Sequence, residues 1–203
     1  GLVHKKLVQQ AVASLDRVNA VVLSDYAKGV LTEVLTAQII RNARQQDVPV
    51  CVDPKPVHLP GFHGATMISP NEAEAAAATR TRIEDDDAAV EAAKILQKQA
   101  DLQAALVTRG GRGMCLYQRS GEAYIIPAVE AEVFDVTGAG DTAVSVATAC
   151  LAAGGSFLRA AFIANLAGGE VVQQIGCATV GPERLHELVD ERAEVFDRIQ
   201  LMD

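Results

Sequence analysis

Four short, largely apolar runs, Ala20–Leu23, Pro49–Val52, Thr66–Ser69 and Gln103–Thr108, give way to polar residues at the same end. Runs this short suit strands buried on both faces better than helices. Before, between and after them lie segments with helical spacing: Leu2–Leu15, Thr32–Gln46, Asn71–Thr79, Glu84–Gln99, Leu158–Gln174 and Pro182–Arg198. Met114–Gln118 and Ala123–Ile126, separated by Ser120-Gly121, read as a hairpin. Strands that alternate with helices form a parallel sheet covered on both faces. Ligands of such sheets bind beyond the carboxyl ends of the strands. The polar clusters fall there: Ser24-Asp25-Tyr26, Asp53-Pro54-Lys55, Ser69-Pro70-Asn71 and Thr108-Arg109-Gly110.

A fifth cluster, Asp135-Val136-Thr137-Gly138-Ala139-Gly140-Asp141, runs into the small, apolar stretch Thr142–Ala153. A glycine turn that opens a helix aims backbone N–H groups and the positive end of the helix dipole at one spot. Asp141 beside them would repel a bound anion. It makes sense if the carboxylate takes a proton from a hydroxyl while the N–H groups of Gly138, Ala139 and Gly140 hold the group under attack. The plain alternative is a tight strand-to-helix turn with Asp141 as a capping carboxylate. The spacing is neither the Gly-x-Gly-x-x-Gly dinucleotide fingerprint nor a P-loop.

Three further motifs allow two readings each. Asn71-Glu72-Ala73-Glu74 is either a helix cap with acids in the first turn or a pair, Asn71 and Glu74, near a magnesium–phosphate assembly. In the second case Glu74 acts through metal-bound water, since Mg²⁺ keeps much of its hydration. Thr108-Arg109-Gly110-Gly111-Arg112-Gly113 either turns a strand into a hairpin or lets the backbone at Gly110 and Gly113 approach a nucleotide, with Thr108 or Arg109 reaching its phosphates. Asn165 and Gly168, in an apolar helix, either permit close packing or touch adenine and ribose.

Composition narrows the function classes. Aromatics are 4% with no Trp, which argues against a carbohydrate-binding β-sandwich with aromatic platforms. The net charge of −8, with no basic block longer than Lys5-Lys6, argues against a nucleic-acid partner. Cys51, Cys115, Cys150 and Cys177 form no CxxC pair and are expected to be buried, reduced thiols. Asp85-Asp86-Asp87 reads as a solvated helix start, and the four histidines lack metal-ligand spacing. No apolar run approaches the roughly 20 residues of a membrane span, and no secretory signal opens the sequence, so a cytoplasmic location is expected. The 203 residues suit one domain spanning 1–203.

Together the clusters resemble the ribokinase-like (PfkB) carbohydrate kinases: Asn71-x-x-Glu74, then Thr108-Arg109-Gly110, then Asp135–Asp141, then the late Asn165, in the family's order. The sequence is most similar to the heptose 7-phosphate kinase branch, alone or fused to an adenylyltransferase. The residues that carry this are Leu23–Gly29, Val52–Lys55, Ser69–Asn71, Leu106–Arg109, Asp135–Thr142, Ala164-Asn165 and Gly176–Val180.

The resemblance implies a three-layer, ribokinase-like α/β sandwich. It implies transfer of the γ-phosphoryl group of ATP to a sugar-phosphate hydroxyl, with Asp141 as base. The partners it implies are ATP, a small sugar phosphate, Mg²⁺ and a monovalent cation, with a homodimer for the intact protein. Asp25, Lys28 and Lys55 are the candidate contacts to a phosphorylated substrate. The family's Gly-Gly substrate motif and small β-sheet lid are not found, and the sequence starts at Gly1. It therefore reads as the C-terminal part of such a kinase, holding the nucleotide site and base. Two alternatives stay open: a fructokinase or ribokinase type, and a nucleotide-binding domain without catalysis.

Overall fold

The computed structural model describes residues 2–202, and its organising feature is a period-two alternation of side chains across one sheet. The seven strands are β1 (Val21–Ser24), β2 (Val50–Asp53), β3 (Met67–Ile68), β4 (Ala104–Thr108), β5 (Met114–Gln118), β6 (Ala123–Ile126) and β7 (Gln200–Met202). They lie side by side in chain order. β1 to β4 are parallel, and β5, β6 and β7 each pair antiparallel with the preceding strand.

On one face, Leu23, Val50, Val52, Ile68, Ala105, Val107 and Cys115 join a core with helices α1 (Leu2–Ala13), α2 (Glu33–Gln45), α3 (Glu72–Thr79) and α4 (Asp86–Gln99). On the other, Cys51, Met67, Ala104, Leu106, Met114 and Leu116 pack on α5 (Ala139–Ala152) and α6 (Phe157–Val171). Successive strand residues point to opposite faces, so each apolar run feeds two cores at once. This is why the runs are continuously apolar rather than alternating. The layers are helix, sheet, helix. α7 (Pro182–Glu191) and α8 (Ala193–Asp197) close a third, smaller cluster through Leu188 and Val195 against Phe162 and Leu166 of α6.

Helix starts follow local chemistry. The Thr32 hydroxyl accepts from the Leu35 amide ahead of α2, and the Asp85 carboxylate accepts from the Ala88 amide ahead of α4. Asn71 and Glu74 form a reciprocal capping box on α3, a device worth about 1 kcal/mol.

Some expectations shift. The segment 182–198 is two helices, broken at Arg192, and the chain then returns to the sheet as β7, which periodicity over three residues did not reveal. The sheet is parallel only through its first four strands. Cys51 and Cys115 are buried, and burial pushes their thiols up to about 11 and about 12. Cys177, expected to be buried, is exposed, because it lies in the loop after the Gly176 turn and not in a packed element; Cys150 is half-buried. No helix among the described residues is long and apolar enough to cross a membrane.

Candidate active site

The carboxyl ends of β1, β2 and β4, the start of α3 and the N-terminus of α5 meet on one rim. Gly138 precedes α5 with φ +81°, a left-handed conformation that L side chains rarely adopt, and it turns the chain from the Asp135 loop into the helix. Asp135 braces the loop: its carboxylate accepts from the amides of Thr137 (2.9 Å) and Gly176 (3.0 Å). The Thr137 hydroxyl first, and then those two amides, hold its carboxyl below the usual carboxylate range.

The first four amides of a helix have no partner within it. Among the described residues the amides of Gly138, Gly140 and Asp141 donate to no protein acceptor. The Ala139 amide is spent on the Val136 carbonyl at 3.2 Å. The expected trio of N–H groups is therefore corrected at Ala139.

Asp141 lies in the first turn of α5, exposed, and does not point into the interior. Its Oδ1 accepts from the Ser24 hydroxyl at 3.2 Å and its Oδ2 from the Tyr26 hydroxyl at 3.1 Å. Ser24 and Tyr26 belong to a recognised polar cluster but were not singled out. The signal was present, because period two sets them together on the face opposite Asp25. Asp53, at the end of β2, was likewise passed over. Burial first, then the negative charges of Glu74, Asp141 and Asp25, push its carboxyl up to about 6 against the opposing pull of Lys55.

Lys55 Nζ lies 2.5 Å from Glu74 Oε1, and Glu74 Oε2 accepts from the Asn71 amide at 3.0 Å. Asn71 caps α3 through Oδ1, which accepts from the Glu74 amide at 2.9 Å, and its backbone bridges to Thr108. Asn71, Glu74, Thr108, Lys55 and Asp53 thus line up across the middle of the rim.

Beside Asp141 a cavity of about 200 Å³ is bordered by Thr108, Gly110, Gly113, Gly140, Asn165 and Gly168, among others. Gly113 is required there for a structural reason: it has φ +81°, and a Cβ would overlap the Ile126 carbonyl. Nothing lies within 4 Å of a Cβ built on Gly168, so this glycine leaves the cavity open. The close packing expected of it belongs to Gly169, against Val129. Asn165 is buried and donates from Nδ2 to the Pro127 carbonyl at 2.8 Å, tying α6 to the exit of β6. A larger cleft of about 360 Å³, lined by Arg44, Val50 and Gln103, opens at the opposite ends of the strands and holds none of the motif residues.

Two expected contacts sit differently. The Arg109 side chain is 0% exposed, with Nη1 2.7 Å from Asp86 Oδ1 and Nε 3.4 Å from Glu72 Oε2. It joins α3 to α4 instead of reaching phosphates, because it follows Val107 on the face away from α5. Asp86, its side chain 47% exposed, thereby partners a buried guanidinium and is not only a solvated helix start. Asp25 is 3% exposed and accepts from the Ala27 amide, the Lys55 amide and the His58 ring, which engages both of its oxygens within the protein. Lys28 is exposed in the loop after β1, without an ion-pair partner among the described residues. Among those residues no group of three or more His, Cys, Asp or Glu is arranged to hold a metal.

The architecture is the ribokinase-like fold. The chain aligns with Arabidopsis thaliana ribokinase, solved with ribose and ATP, at TM-score 0.75 and 20% identity over 89% of this chain and 58% of that one. It aligns with Escherichia coli phosphofructokinase-2, solved with potassium, at TM-score 0.77 and 17% identity over 91% and 61%. Residues 3–184 match the pfkB family carbohydrate kinase description, and the chain belongs to that family. It is 42% identical over 182 residues to the bifunctional protein HldE of Geobacter sulfurreducens, covering 90% of this chain and 37% of that protein. It is 47% identical over 176 residues to the bifunctional protein HldE of Coxiella burnetii, covering 87% and 36%. The chain thus spans a little over a third of the length of these curated relatives.

Proposed function

We propose that the protein transfers the γ-phosphoryl group of ATP to the anomeric hydroxyl of D-glycero-β-D-manno-heptose 7-phosphate, on the route to the lipopolysaccharide core. The observation that carries the reading is the juxtaposition on α5. Asp141, an exposed carboxylate held by Ser24 and Tyr26, stands in the same turn as amides with no protein acceptor, beside an open cavity. Family membership supports phosphoryl transfer to a sugar. The choice of a heptose 7-phosphate rests on the sequence resemblance over Leu23–Gly29, Val52–Lys55 and Asp135–Thr142.

In this reading the sugar hydroxyl lies against Asp141. Its oxygen attacks the γ-phosphorus, the O–P bond forms as the bond to the leaving ADP oxygen breaks, and the hydroxyl proton passes to Asp141. Taken late, as the forming bond acidifies the hydroxyl, that proton needs only an ordinary carboxylate. The amides of Gly138 and Gly140 meet the charge on the transferred group. Protein chemistry here is positioning and charge stabilisation. The cavity bordered by Thr108, Gly110 and Gly168 receives the nucleotide, with the Asn165 amide fixing one wall. Lys55 and Lys28 are the basic groups left for a substrate phosphate.

Mg²⁺ fits this rim as an ion held mainly by phosphates and water. The carboxylates of Glu74, Asp141 and Asp25, which add to burial in holding Asp53 up, favour a cation, and Glu74, with both oxygens engaged, suits an indirect role. Bound there, the ion would neutralise charge on the phosphates. A monovalent cation is the further candidate.

Isothermal titration with ATP, run beside a turnover assay on a panel of heptose 7-phosphate, fructose and ribose, tests the proposal. Turnover highest with heptose 7-phosphate is expected. ATP binding without turnover of any sugar would favour the non-catalytic alternative, and preference for fructose or ribose would move the substrate.

A further inference from the structure

We propose that Asp25 is a positioning residue: its buried carboxylate, closed over by His58, ties the exit of β1 to that of β2. It thereby sets Tyr26 against Asp141 and Lys55 against Glu74. The proposal rests on the phosphoryl-transfer reading above and adds to it two residues that touch no substrate.

The β1–β2 ladder ends with Ser24 opposite Asp53 and the Asp25 amide donating to the Asp53 carbonyl at 2.9 Å. Past that point the backbone cannot continue the pairing, since Pro54 and Pro56 have no N–H to offer. Ala27 on the other side turns left-handed at φ 52°. The Asp25 side chain takes over. Oδ1 accepts from the Ala27 amide at 2.8 Å, while Oδ2 accepts from the Lys55 amide at 3.3 Å and from His58 Nδ1 at 2.8 Å.

A carboxylate 3% exposed that receives donors from three residues is fixed, and it fixes them in return. His58 comes from the 3-10 turn Pro56–Phe62 and is itself part-exposed, so its ring covers the carboxylate from solvent. The two loops so joined carry the groups that matter: Tyr26, 3.1 Å from Asp141, and Lys55, 2.5 Å from Glu74.

Three variants test this in the purified protein. Asp25→Asn keeps the shape but replaces one accepting oxygen with a donor, so it cannot satisfy both loops. It is expected to lower kcat about 10²-fold, the cost of a displacement near 1 Å, with KM for ATP within about twofold. His58→Leu is expected to lower kcat about tenfold, and His58→Asn, which returns a donor near Nδ1, to recover to within about threefold. A merely structural role would lower the melting temperature of these variants while leaving kcat per folded molecule at the wild-type value, and that result overturns the proposal. Should Asp25→Asn fail to fold, the two His58 variants decide. Should the wild-type protein turn over no sugar, the kinase reading has failed, and a crystal structure of Asp25→Asn decides alone. Loss of the Lys55–Glu74 or Tyr26–Asp141 contact supports the tie, and retention of both overturns it.

Discussion

Two sets of polar residues leave the same strand ends and meet opposite fates. Ser24 and Thr108 continue strand positions that face α5 and α6; one touches Asp141 and the other borders the cavity beside it. Asp53 continues the position of Cys51 on that face and feels the charge of Asp141. Asp25 and Arg109 are single-residue neighbours of these groups, but they follow Leu23 and Val107 and turn toward the helices of the other face. There they become buried ties between segments. A polar strand end is therefore not enough to mark a site. Its parity along the strand decides whether it serves chemistry or architecture.

The comparison breaks most easily at Arg109. Arg109→Ala removes a fully buried side chain that joins α3 to α4, at an expected cost of about 3 kcal/mol in stability, with ATP affinity unchanged. Denaturant melts and titration calorimetry measure the two. A tenfold loss of ATP affinity at full stability would return Arg109 to the nucleotide site.

Asp53 probes the other face through pH. Its carboxyl is raised in the folded protein, so the folded state binds the extra proton, and stability falls as pH rises from the unfolded value near 4 through about 6. Asp53→Asn should stabilise the protein above that window by about 1–2 kcal/mol, allowing for solvent screening of a half-buried group. The gain should vanish below about pH 4. A gain that persists in acid would show that the charge on the buried Asp53 carboxylate is not its cause.

Gly168→Val sharpens the cavity assignment. Nothing lies near the added side chain, so the melting temperature should hold while ATP affinity drops about tenfold as the space fills. Unchanged affinity would mean the nucleotide lies elsewhere. The smallest effects belong to the hydroxyls on Asp141. Ser24→Ala and Tyr26→Phe should each reduce kcat about three- to tenfold, with stability within about 0.5 kcal/mol. A loss of stability without a change in rate would make them structural.

Much of this was legible before any coordinates. Strand runs, the helix cap at Asn71, the 114–126 hairpin and the polar rim follow from periodicity and local hydrogen bonding. The turn at Gly138 follows from the need for a left-handed residue before α5. Side-chain direction was harder. Asp25 and Arg109 were chosen for their chemistry, and only the two-core alternation of Leu23 and Val107 revealed that they point away. The spent amide of Ala139 and the open space at Gly168 depend on how loops and helices meet, which no local pattern records. β7 is three residues long and is held by its pairing with β6, so its own sequence carries little signal.

Asp141 is the group on which phosphoryl transfer depends most directly. Asp141→Asn, measured for turnover and for ATP affinity in the same preparation, should lose activity by about 10²–10⁴-fold, the contribution of a positioned base. ATP affinity should stay within a few-fold. Turnover retained near the wild-type rate would contradict the assignment of Asp141 as the group that takes the sugar's proton.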